Sequence, residues 1–258
     1  MFRKLAIVAL LAAVHGQAGA LGAGDIAFTS FNADEDGWSL VALADISANT
    51  TIYFSDNEWN GSAIGSGGAF NTGESYHQWV SGSSVIAAGT VIRFAAVDAV
   101  SLASSVGTLS RAAVSGSTNY GVANSNETIY AYLGSSASAP TSFLAAVTNG
   151  DFSVDGTLAN TGLTQGVSAI RLNANATSAT PDFGQYAGTR SGLTSFADYK
   201  TLVNNASNWT VDTTNGTYIN VVPDTTAFSI SPVPEPSENA MLLAGLGLMF
   251  FVIRRRLA

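Results

Sequence analysis

From Asp25 to Ile230 the chain is written in short apolar runs separated by clusters of Gly, Asn, Asp and Ser. Within the runs apolar and polar positions alternate with a period of two, which is the spacing of a half-buried strand. Ile26 and Phe28 share a face in DIAFTSF, and in WSLVALAD the set Trp38, Leu40, Ala42 opposes Ser39, Val41, Leu43. TIYFSD (residues 51–56), GTVIRFAAV (89–97), ETIYAYL (127–133), VSAIRL (167–172) and TAFSI (226–230) read as further strands. Many short strands between turn clusters predict an all-β protein, a β-sandwich. One segment breaks the period. In TSFADYKTLVNN, Phe196, Tyr199, Leu202 and Val203 recur at helical spacing, and Ser195 stands three residues before Asp198, as in a capping box with Asp in place of Glu. This predicts one minor helix, about 196–203, on an edge of the sandwich.

Both ends follow other rules. Arg3 and Lys4, the apolar run Leu5–Val14 and the small residues Ala18-Gly19-Ala20 make a secretory signal peptide over 1–20, with cleavage expected after Ala20. At the other end Pro234, Glu235 and Pro236 precede an apolar run from Ala240 to Ile253, followed by Arg254, Arg255 and Arg256. The prolines keep their segment extended. The run reads as a transmembrane helix, with the arginines stopping transfer and holding the C-terminus in the cytoplasm. Fourteen residues at 1.5 Å reach roughly 21 Å of a core of about 30 Å, a weak anchor that bilayer thinning and snorkelling would accommodate.

This three-part tail, 232–258, resembles the PEP-CTERM sorting signal of exopolysaccharide-producing Gram-negative bacteria. The resemblance implies that Pro234, Glu235 and Pro236 are recognised by exosortase, a membrane-embedded cysteine transpeptidase, and that this chain is its substrate. The body is similar to a family of exported bacterial β domains through GDIAFTSFNADEDGWSLVALADI, TIYFSDNEW, AAGTVIRF and NETIYAYLG, and looks distantly like lamin-tail sandwiches. That resemblance carries fold information and no catalytic residues.

Charge and composition then narrow the function of the exported region, 21–231. It keeps five basic and 16 acidic residues, a net charge of −11. This argues against nucleic acid or an anionic surface as partner. With no cysteine there is no disulfide framework, thiol nucleophile or Cys-ligated metal, and His77 is the one histidine outside the signal peptide. No G-x-S-x-G, P-loop or dinucleotide fingerprint occurs. Asn-x-Ser/Thr triplets start at Asn49, Asn60, Asn126, Asn175, Asn205, Asn208 and Asn215 and serve as surface markers.

Three constellations remain as candidate sites. Asn32, Asp34 and Asp36, followed by Gly37, place oxygens at alternate positions as in the first half of a Ca²⁺ loop. Leu43 stands where an EF-hand needs Glu, so the choice is between a non-EF calcium loop and a solvated hairpin turn. Trp59, Tyr76 and Trp79 would form a glycan-stacking platform if exposed, or pack in the core. Asp56 and Glu58, two apart, would face one way in a strand and could serve as a glycosidase pair across a cleft.

The expected function is therefore structural: a cell-surface or extracellular-matrix protein without catalytic activity or a required cofactor, held transiently in the inner membrane, processed by exosortase and associated with exopolysaccharide or biofilm. The alternatives are a carbohydrate-binding module with a Ca²⁺-ordered loop and, below it, a polysaccharide hydrolase.

Overall fold

The computed structural model describes residues 20–175, 180–212 and 216–231. Twelve strands form two six-stranded sheets. They are β1 (Ile26–Asn32), β2 (Gly37–Ala42), β3 (Thr51–Ser55), β4 (Tyr76–Val80), β5 (Val91–Ala95), β6 (Ala103–Ser104), β7 (Thr108–Arg111), β8 (Thr128–Ser136), β9 (Ala139–Thr148), β10 (Ala169–Arg171), β11 (Phe183–Tyr186) and β12 (Trp209–Asp212). The first sheet runs β12-β11-β1-β2-β5-β6 and the second β10-β9-β8-β3-β4-β7. Within the named strands the pairings are antiparallel except β9 with β10. The expected β-sandwich is thus what the chain forms.

The two sheets close on one apolar core. Phe28, Phe31, Trp38, Leu40 and Phe94 come from the first sheet, and Phe54, Trp79, Ala131 and Leu144 from the second. Burying such side chains contributes about 1.5–3 kcal/mol each, which is how a chain without disulfides holds together. The alternation in β3 predicts a second face, and the second sheet has one. Tyr53 and Tyr76 point away from the sandwich core and join Tyr130, Tyr132 and Phe143 in a separate aromatic cluster. Trp59 and Phe70, from the excursion between β3 and β4, cover it together with Phe152 and Leu163.

The minor helix lies where expected, as a 3₁₀ turn (Phe196–Asp198) leading into α1 (Tyr199–Val203). The Asp198 carboxylate accepts from the Ser195 N–H at 2.9 Å and the Thr194 hydroxyl at 3.0 Å, fixing the start of the turn. Tyr199 and Val203 are buried, and α1 packs on β1. TAFSI is not a ladder strand. Its one pairing is a parallel bridge, Leu193 with Ile230.

Candidate functional site

The acidic loop between β1 and β2 is a hairpin whose oxygens are already engaged. Asn32 Oδ1 accepts from the N–H groups of Asp34 and Glu35 at 3.1 and 3.2 Å, and its Nδ2 donates to the Tyr218 carbonyl at 3.1 Å. Asp34 Oδ2 accepts from the Tyr218 N–H at 2.5 Å. Asp36, at φ 53°, accepts from the Val122 N–H at 2.5 Å, and burial raises its pKa to about 6. Glu35 pairs with Arg93. Asn32 and Asp34 both meet the backbone of Tyr218, whereas Asp36 turns to Val122, so the three do not converge on one point. Among the described residues no three carboxylate or imidazole groups are placed to hold a metal ion. The spacing that suggested a Ca²⁺ loop arises because each of these short polar side chains ties the hairpin to a neighbouring segment.

The proposed stacking platform is corrected by burial. Trp79 is 0% exposed, in the core between the sheets, edge-on to Phe94, and donates to the Val106 carbonyl at 2.7 Å. Trp59 and Tyr76 belong to the outer aromatic cluster, on the other side of the second sheet, and are 2% and 3% exposed. Trp59 packs edge-on to Phe70 and Phe143, at 5.3 and 5.0 Å between centroids. A sugar needs an open ring face, and none of the three offers one.

The acidic pair differs in burial. Asp56 follows the last residue of β3 and turns inward, where its Oδ1 accepts from the N–H and hydroxyl of Ser75 at 2.6 and 2.8 Å. Glu58 is only half-buried, and its N–H is held by Asn71. The nearest acidic relations of Asp56 are ones that spacing did not suggest: Glu74 and Glu127. Burial, then the neighbouring Asp56 charge, raises Glu127 to about 9. Burial, opposed by the Ser75 hydroxyl, raises Asp56 to about 7, and burial followed by the Glu58 charge raises Glu74 to about 7. His77 stands behind Ser75, with Nδ1 3.3 Å from the Ser75 hydroxyl and Nε2 3.0 Å from the Val97 carbonyl. Burial lowers its pKa to about 4, so it is neutral at physiological pH. Asp56, Ser75, His77 and Glu127 are each at most 5% exposed. Asp56, Ser75 and His77 bond to one another across the excursion between β3 and β4, while Glu127 accepts from the N–H groups of Ala123 and Thr128, and none of them lines an open cleft.

The described chain ends on a docked segment. After Tyr218, whose ring stacks on Phe183 at 4.4 Å, residues 224–231 run against the segment from Tyr186 to Tyr199. Phe228 is buried between Tyr186 and Tyr199. Ser231, the last described residue, donates to the Leu193 carbonyl at 2.8 Å. The next residue begins a match to a known motif. Residues 232–256 match the family model described as the PEP-CTERM protein-sorting motif. The chain carries a PEP-CTERM sorting motif. The chain matches no curated protein and no solved structure, so the likeness of its body to lamin-tail sandwiches has no support from them.

The PEP-CTERM motif implies processing by exosortase, export, and membrane-anchored sorting to the cell surface. Pro234, Glu235, Pro236, the run Ala240–Ile253 and Arg254–Arg256 lie outside the described residues, as does the signal peptide up to residue 19. Among the described residues no helix is long and apolar enough to cross a membrane.

Proposed function

We propose that the chain is exported through the signal peptide at 1–20, held in the inner membrane by Ala240–Ile253, and cut by exosortase. Its domain 21–231 is then a non-catalytic structural component of an exopolysaccharide matrix at the cell surface. The match at 232–256 carries this reading. The interior supports it: the carboxylates and aromatics with catalytic or stacking potential are used to hold the sandwich together. The test is fractionation of the native host and of a strain unable to make exopolysaccharide. Retention in the matrix fraction only when the polysaccharide is made is expected; equal release into the medium from both strains refutes the matrix role.

The carbohydrate-binding alternative keeps one physical foothold, away from the buried tryptophans. A groove of about 540 Å³ is lined by Tyr53, Gln78, Arg111, Ser135, Ser136 and Ser138. Hydroxyl and amide groups beside one guanidinium suit the hydroxyls of a glycan. Glycan-array binding that Gln78→Ala abolishes while the fold stays intact supports it, and a flat array removes it.

A further inference from the structure

Four contacts converge on Arg190. Its Nη1 donates to the Thr226 carbonyl at 3.0 Å, its Nη2 to the Asp224 and Tyr186 carbonyls at 3.2 and 3.4 Å, and its Nε lies 3.1 Å from the Asp224 carboxylate. The guanidinium also covers the Phe228 ring at 4.9 Å. A fork of fixed donors closed on two backbone carbonyls and a carboxylate holds a chain segment in one register, which a lysine would not do. The segment so held is pinned again beyond the clamp. Phe228 donates through its N–H to the Gly89 carbonyl at 2.8 Å, Ser229 to Arg190 at 2.7 Å, and Ser231 to Leu193 at 2.8 Å. The Tyr199 hydroxyl donates to the Ser229 carbonyl at 2.7 Å. Gly89 makes the approach feasible: it has φ +91°, and a Cβ there would lie 2.3 Å from the Phe228 carbonyl oxygen.

We propose that residues 224–231 are a strap, clamped by Arg190 and plugged by Phe228, that limits how far the sorting motif reaches from the folded body. This rests on the reading that exosortase cuts the tail. With the strap docked, only Pro232 and Val233 separate Ser231 from Pro234, a reach of about 10 Å at 3.3 Å per residue. With the strap released back to Tyr218, the same motif reaches about 50 Å. A membrane-embedded enzyme must seat the motif while a folded domain stands next to it. A tether too short to span two sites brings the effective concentration towards zero, and lengthening it to match the span restores it. Arg190 and Phe228 are thus positioning residues for processing: they act through the strap and set the length of free chain between motif and body.

The experiment follows tail removal in the native host by pulse-chase, using the full-length chain with exosortase present. Three chains are compared: wild type, Arg190→Ala, and wild type with about eight Gly-Ser residues inserted between Ser231 and Pro232. The insert leaves the strap and its clamp intact and supplies roughly 16 Å of slack. The expected result is that both altered chains are processed on the order of threefold faster than wild type. Hydrogen exchange on the purified chains shows Phe228, Ser229 and Ser231 protected in wild type and in the insert but open in Arg190→Ala. Equal or slower processing of the insert overturns the proposal while leaving the sorting reading in place. A wild-type tail that stays uncut beside active exosortase overturns the sorting reading, and the strap's role with it.

Discussion

Glu127 is a carboxyl group that the fold keeps protonated, and this makes stability fall as the pH rises above neutrality. Its Oε2 accepts from the Ala123 N–H at 2.9 Å and its Oε1 from the Thr128 N–H at 3.2 Å, while burial and the nearby Asp56 raise its pKa from 4.5 to about 9. A raised folded-state pKa means that the native protein holds a proton which the unfolded chain has released. The corresponding stability is fully present below about 4.5 and is lost as the pH climbs towards 9. One retained proton changes the unfolding free energy by about 1.4 kcal/mol per pH unit. His77 works in the opposite sense, because its folded value of about 4 lies below 6.5; its contribution is complete by pH 7. Between pH 7 and 8.5 Glu127 therefore dominates and removes about 2 kcal/mol. Urea unfolding followed by tryptophan fluorescence at the two pH values measures this. Glu127→Gln cannot ionise. It loses one backbone acceptance, worth about 1 kcal/mol at both pH values, so the difference between the two pH values carries the test. In the variant that difference shrinks to well under half. Equal stability of the wild type at pH 7 and 8.5, or an unchanged difference in Glu127→Gln, refutes the reasoning.

Three further outcomes follow from the packing. Trp79→Ala empties the middle of the core and lowers stability by about 3–5 kcal/mol in denaturant titrations, whereas an exposed sugar platform would tolerate it. Asp36→Ala leaves the Val122 N–H without its acceptor and lowers stability by about 1–3 kcal/mol; millimolar calcium or its chelation leaves the melting midpoint of the wild type unmoved, because the loop oxygens are spent on backbone groups. Gly89→Ala forces a Cβ against the Phe228 carbonyl, so limited proteolysis cuts between 218 and 231 in the variant and not in the wild type.

The short runs Ile26–Asn32, Thr51–Ser55 and Val91–Ala95 were located closely, because β-branched and aromatic residues recur at alternate positions in them between turn clusters. It did not reveal Ala139–Thr148. APTSFLAAVT ends in six buried positions in a row, and a strand buried on both faces shows no period. FGQY and WTVD, at 183–186 and 209–212, are too short to show a period. TAFSI reads as a strand from its residues, yet the Arg190 clamp and the Phe228 plug decide its path, and both depend on partners distant in sequence. The candidate sites failed for a related reason. Spacing places Asp56 and Glu58 on one face only while the strand lasts, and β3 stops at Ser55. Aromatic content marked Trp59, Tyr76 and Trp79 but carried no information on which side of the sheet each would fall. The buried Glu127 gave no local signal, since its neighbours Asp56 and Glu74 both come from the excursion that follows β3. The sorting motif was legible in full, because a processing enzyme reads it as a linear segment.

The central claim is that this chain is delivered to the cell surface by cutting its C-terminal tail, and intact-mass spectrometry of the protein from its native host tests it most directly. With exosortase present, the mature chain begins near Leu21 and ends near Pro234; without it, the mass includes the run Ala240–Ile253 and the three terminal arginines. A full tail in both strains contradicts the account and leaves a simple membrane-anchored surface domain.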